Sequence, residues 1–199
     1  TFKNERVTAK ISLQKQDKET KKAVPQGDAT LEKAVYGLYA REDIVHPDGQ
    51  TGVLYPAGTQ IATLTTDAEG NAEIADLYLG KYYVKELTPP VGYLADPEEH
   101  DLECNDEGDL VQTVERTATS LEDVIKQPFQ VIKAANNGKT DADLLKGVGF
   151  SAYLESSLKK NKDGSYDFAS ATPVVLTADG QTEMFTDERG YACSIPLAY

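Results

Sequence analysis

The chain has 199 residues, room for one large domain or for two of about 100 residues, each able to bury a core of its own. Its 33 acidic residues against 20 basic ones leave a net charge of −13, which repels nucleic-acid phosphates and anionic lipid headgroups alike. No apolar run approaches membrane-spanning length and no signal peptide opens the sequence, so direct membrane contact is not expected.

The first predicted element is a strand ending at Lys15. Val7, Ala9, Ile11 and Leu13 alternate with polar residues, and period-two alternation sends Lys15 to their face. A second strand follows over Ala34-Val35-Tyr36-Gly37-Leu38-Tyr39. The long segment from Glu42 to Thr59 has no periodicity of its own and is expected to be a loop, the kind that often carries recognition. Turn clusters at Pro47-Asp48-Gly49 and Ala68-Glu69-Gly70-Asn71 punctuate short strands.

Further along, Tyr82, Val84 and Glu86 share one parity, so an acid is aimed at the same interior as Lys15. A buried lysine facing a buried acid is either a costly ion pair or a piece of chemistry. The run Asp96, Glu98, Glu99, His100, Asp101, Glu103, Asp106, Glu107, Asp109 reads as a solvated acidic hairpin. Its spacing matches no calcium loop, and the turn at Asn161–Asp167 lacks the closing glutamate, so no metal is assigned. Cys104 and Cys193 fit neither a disulfide framework nor a metal motif. His46 and His100 have no recognisable nucleophile beside them, and Tyr36, Tyr39, Tyr82, Tyr83 and Tyr93 read as core and sheet surface. No cofactor is implied.

The second half repeats the first. Phe129–Lys133 matches the strand ending at Lys15, Leu145–Tyr153 matches Leu31–Tyr39, and Thr186–Ala192 matches Thr66–Ala72. The offsets are 118, 114 and 120 residues. Order and spacing are preserved, so the expected organisation is two copies of one all-β sandwich, residues 1–127 and 128–199, divided near Gln127-Pro128. The second copy is expected to be truncated. The counterpart of Glu86 falls past Tyr199, which leaves Lys133, the counterpart of Lys15, without a facing acid and leaves sheet edges to be covered. Both ends of the sequence read as cuts within a longer protein.

The Lys15-Gln16-Asp17 strand end, the Ala34–Tyr39 strand and the Glu86…Pro90-Val91-Gly92-Tyr93 box together resemble the Cna B-type domains of Gram-positive surface proteins. The closer likeness is to their SpaA-type, prealbumin-like pilin and stalk domains. That resemblance implies tandem immunoglobulin-like sandwiches in an extracellular, cell-wall-anchored protein. It also implies a spontaneous isopeptide bond from Lys15 to an asparagine or aspartate on the last strand, assisted by Glu86.

The residues explain why such a bond can form. Apolar burial lowers the pKa of a lysine and raises that of a glutamate, so the amine becomes nucleophilic and the acid can donate a proton. The last strand lacks the expected asparagine. Alignment on Pro128 offers only Lys126, which cannot serve. The run Glu122-Asp123-Val124 offers Asp123, which shares a parity with Leu121 and Ile125 and is preferred, with Glu122 as second choice. The functional reading is a structural stalk or pilin-like segment, not a turnover enzyme, whose partners are neighbouring domains of the same surface protein. The alternative is an adhesin module binding host matrix protein or glycan through its loops. A hydrolase using two of the many carboxylates ranks below both.

Overall fold

A computed structural model describes residues 6–108, 110–135 and 145–198 of the chain. The chain divides into two compact units, Thr1–Val124 and Ile125–Tyr199. Among the described residues every regular element is a strand, apart from one 3-10 turn at Glu155–Ser157.

The first unit has nine strands: β1 (Thr8–Asp17), β2 (Val35–Ala40), β3 (Ile44–Val45), β4 (Val53–Tyr55), β5 (Gln60–Thr65), β6 (Asn71–Leu77), β7 (Gly80–Thr88), β8 (Glu99–Cys104) and β9 (Thr113–Glu122). They form two main sheets, ordered β6-β1-β9 and β5-β2-β7-β8. All pairings are antiparallel except β1 with β9, the first and last strands, which run parallel.

Alternation creates the interior. Ala9, Ile11 and Leu13 from β1 and Val114 and Ala118 from β9 pack with Tyr36 and Leu38 from β2, Tyr82 and Val84 from β7, and Leu102 and Cys104 from β8. Each large apolar side chain buried there stabilises the fold by about 1.5–3 kcal/mol before chain entropy is counted.

Two segments depart from the sequence reading. The expected loop from Glu42 to Thr59 contains the hairpin β3–β4, with the Asp43 carboxylate accepting the Ala57 N–H at 2.8 Å. The acidic run is not simply a solvated hairpin. Glu99–Cys104 pairs with β7, sending Glu99, Asp101 and Glu103 outward and Leu102 and Cys104 inward. The density of acids hides an ordinary period-two strand. Asp109 lies outside the described residues.

The second unit contains β10 (Lys126–Gln127), β11 (Gln130–Ile132), β12 (Gly149–Phe150), β13 (Lys159–Lys160), β14 (Tyr166–Asp167), β15 (Met184–Phe185), β16 (Tyr191–Cys193) and β17 (Leu197–Ala198). These pair as β10-β17, β11-β16, β12-β15 and β13-β14. Its small core is Leu176, Met184 and Ala192, flanked by Phe129, Val131 and Phe150.

Segments that match in sequence make matching hydrogen bonds in the two units. In the first unit the Thr66 hydroxyl donates to Leu31 O at 2.6 Å and accepts the Ala34 N–H at 3.0 Å. In the second unit Thr186 donates to Leu145 O at 2.6 Å and accepts the Val148 N–H at 3.0 Å. The carboxylate of Asp67 caps its turn by accepting from Glu69 and Asn71, as Asp187 accepts from Arg189 and Tyr191. The Lys15 N–H donates to Gly70 O at 2.8 Å, and the Lys133 N–H donates to Gly190 O at 2.7 Å. A threonine that satisfies two backbone groups at the foot of a strand is a local device, so it survives where the surrounding sequence has drifted.

Candidate functional site

Lys15 stands at the inner end of β1 with its side chain wholly buried. Gly70 is part of the reason. Its φ of +78° turns the chain back against β1, and a Cβ there would meet Lys15 O at 2.9 Å. Glu86, on β7, brings its Oε1 to 3.2 Å from the Lys15 ammonium nitrogen. The interior meeting of these two heads, expected from parity alone, is therefore present.

The third partner is Glu122 at the end of β9. Its Oε1 lies directly against Lys15 Nζ, and its side chain is as fully buried as those of Lys15 and Glu86. The register explains the approach: Lys15 pairs with Ser120 and Asp17 with Glu122, so Glu122 is the same-face diagonal neighbour of Lys15 across a parallel pair.

Asp123, the preferred acceptor from sequence, points the other way. It is half-exposed and holds Lys18 at 2.8 Å on the surface. The inward parity of β9 is that of Val114, Ala118, Ser120 and Glu122, whereas Leu121 sits on the flank. Apolar residues of both parities near the end of this strand make the wrong face look like the inner one. In the second unit the Lys133 side chain is exposed.

Tyrosines and small polar groups line the site. The Tyr93 and Tyr36 rings have their centroids 5.6 Å and 6.0 Å from the Lys15 nitrogen. The Tyr36 hydroxyl donates to Glu122 Oε1 at 2.8 Å, and burial pushes its pKa far up, so it remains a donor across the working range of pH. The box residues Pro90–Tyr93 fold back after β7, with Tyr93 donating to the buried Asp17 carboxylate at 3.1 Å.

Asp96, which the sequence places within the solvated run, is buried here. Its N–H donates to Glu86 Oε2 at 2.8 Å, while its carboxylate accepts from Glu98 N–H, His100 Nε2 and the Ser120 hydroxyl. Asp96, His100, Ser120 and the Tyr36 hydroxyl escape sequence reasoning. The only signal for them is the inward parity of Ser120 and His100, and both are masked by polar neighbours.

Electrostatics decide what this cluster can do. One amine faces two carboxyl groups in a dry interior, and both cannot be ionised cheaply. Burial pushes the Lys15 pKa down, against the pull of Glu86. Glu122 Oε2 has no hydrogen-bond partner among the described residues, an expensive state for a buried carboxylate oxygen. Among the described residues no group of acidic, cysteine or histidine side chains is arranged to hold a metal.

The model of the SpaA prealbumin-like fold domain matches residues 9–118. Among solved structures, the Bacillus anthracis TIE protein superposes with a TM-score of 0.52 at 18% identity, covering 96% of this chain and 27% of that one. The Streptococcal ancillary pilin gives 0.42 at 20% identity, covering 99% and 52%. The full-length major pilin SpaD from Corynebacterium diphtheriae gives 0.41 at 15%, covering 65% and 32%. This chain thus spans between 27% and 52% of the length of these three. No curated protein matches it.

Proposed function

This chain belongs to the SpaA family of prealbumin-like fold domains, and on that premise we propose that it is a stalk or shaft segment of a Gram-positive surface protein, stapled by a spontaneous amide bond between Lys15 and Glu122. The observation that carries this reading is the contact of Lys15 Nζ with Glu122 Oε1 in a wholly buried setting, with the other Glu122 oxygen unpartnered. Condensation removes one oxygen from that carboxyl group. The amide needs only the acceptor position that Tyr36 already serves, so the orphan oxygen is eliminated rather than tolerated.

The step balances as follows. The reactive state has Lys15 as ammonium, Glu86 as carboxylate and Glu122 as carboxylic acid, neutral overall. Glu86 Oε1 takes a proton from the ammonium across 3.2 Å, and the free amine attacks Cδ of Glu122. Tyr36 donates to Oε1, the oxygen that gains charge as the tetrahedral centre forms. The C–N bond forms, the other C–O bond breaks, and the departing hydroxyl leaves with a proton as water. The products are one amide, one water and a protonated Glu86. The packed strands supply positioning, which is worth several kcal/mol when reacting atoms are held near contact. The reaction runs once per chain, so the protein is a self-modifying structural element and not a turnover enzyme.

The matching threonine, aspartate and lysine backbone bonds support the second unit as another copy of the same domain, with Lys133 as the counterpart of Lys15. Its partners in this reading are neighbouring domains of one extracellular, wall-anchored rod. Intact mass tests the core of the proposal. A chain lighter than its sequence by one water carries the bond, and a chain at full mass leaves a buried ion cluster and overturns the reading.

A further inference from the structure

Resting on the Lys15–Glu122 reading, the geometry points to Asp96 as a positioning residue that holds the two carboxyl groups of the site in opposite states, Glu86 as base and Glu122 as acid. Asp96 touches neither reacting atom. It acts on Glu86 through its backbone and on Glu122 through Ser120.

The backbone half is direct. The Asp96 N–H donates to Glu86 Oε2 at 2.8 Å, and a donated hydrogen bond favours the ionised carboxylate. That leaves Oε1, the oxygen near Lys15, free to receive a proton.

The side-chain half follows from counting hydrogens. Ser120 has one hydroxyl hydrogen, and its Oγ lies 2.8 Å from Asp96 Oδ2 and 3.3 Å from Glu122 Oε1, while the Tyr36 hydroxyl approaches it as a donor at 3.0 Å. The carboxylate of Asp96 is pinned by Glu98 N–H at 2.9 Å and His100 Nε2 at 2.8 Å. An ionised Asp96 draws the Ser120 hydrogen, so Ser120 turns lone pairs toward Glu122. A carboxylate denied that donor is disfavoured against the neutral acid, whose proton sits on Oε2 while Oε1 stays the carbonyl oxygen that Tyr36 serves. Asp96 therefore favours Glu122 as the carboxylic acid, the form an amine can attack. Environments that push two neighbouring carboxyls apart assign their acid and base roles.

His100 is the outer anchor of this chain of bonds. Its side chain is 18% exposed while that of Asp96 is 6% exposed, so the relay runs from the interior to the rim of the sheet. Three elements contribute: the segment after the box, β8 and β9.

The test uses the full chain, isolated in urea before it folds, and follows the loss of one water by intact mass after dilution into buffer. Asp96→Ala keeps the backbone N–H and Ser120→Ala removes the relay hydroxyl. Each is expected to slow condensation by about ten-fold or more. Ser120→Thr keeps the hydroxyl and is expected to return the rate to within about three-fold of the parent. The same substitutions in a Lys15→Met background, which cannot react, report stability alone. A rate loss with little change in melting temperature there supports the assignment. Condensation at the parental rate in Asp96→Ala, or a slowdown that merely follows lost stability, overturns it. A parent chain that never loses water fails differently, because it removes the crosslink itself.

Discussion

Lys15 and Glu122 sit two residues out of register on the only parallel strand pair in their sheet, and that diagonal brings their heads into contact. The directly opposed residue on this face is Ser120, whose hydroxyl bonds Asp96. The stagger therefore separates a reacting residue from a supporting one.

Acceptor identity can be read by mass. Glu122→Gln is expected to release ammonia in place of water and to finish at the same mass as the crosslinked parent, since both routes end in one amide. Glu122→Ala should keep its full mass. Asp123→Ala, which disturbs only the surface pair with Lys18, should condense normally. Full mass in Asp123→Ala with condensation in Glu122→Ala reverses the assignment.

The staple should dominate the stability of the first unit. The double variant Lys15→Met/Glu122→Leu replaces both heads with apolar groups of similar size and cannot crosslink. By the loop-entropy argument for a closed loop of about 100 residues, it should lose about 4–5 kcal/mol, read from denaturant midpoints. A loss under about 1 kcal/mol argues that no staple was present, since burying apolar groups in place of the ions is itself close to neutral.

Tyr36→Phe deletes the hydroxyl that donates to Glu122 Oε1 at 2.8 Å. Before condensation it should cost about 1 kcal/mol by removing one donor from Glu122 Oε1, which keeps Lys15 Nζ against it. It should also slow the loss of water. Parental kinetics in this variant would remove Tyr36 from the mechanism.

Acid stability should depend on Asp17. Burial alone would raise its pKa, but donors from Thr20 N–H, Gln26 and Tyr93 outweigh burial and hold it below the ordinary 3.8. A carboxyl group depressed in the folded state stabilises above its unfolded value and loses that contribution as pH falls through the folded one. The denaturant midpoint should thus fall as pH drops below about 4, and Asp17→Asn should flatten that limb. An unchanged slope in Asp17→Asn would assign the acid sensitivity elsewhere.

The repeat makes a paired prediction. Thr66→Val and Thr186→Val each strand one backbone donor, Ala34 N–H and Val148 N–H respectively. Hydrogen exchange at those two amides should accelerate in their own units, with a cost of about 1–3 kcal/mol each. Acceleration at only one of them would break the equivalence of the two threonines.

Much of this arrangement is legible in the order of residues alone. Alternation along residues 7–15 and 82–86 announces that a lysine and a glutamate share an interior, and the ordered recurrence of three segments announces the repeat. Those are local signals, because side-chain parity and turn residues depend on a few neighbours along the chain. The last strand is different: Leu121 and Ile125 favour one parity, Ala118 and Val124 the other, and sequence cannot say which row meets the opposite sheet. Pairing with β1 chooses Ser120 and Glu122 for the interior and leaves Asp123 outside. Asp96 and His100 are likewise invisible within an acidic run until β8 docks on β7 and carries them to the edge of the site. A strand carries its alternation in its own residues, whereas the face it buries is settled only by the strands it pairs with and the sheet it packs against.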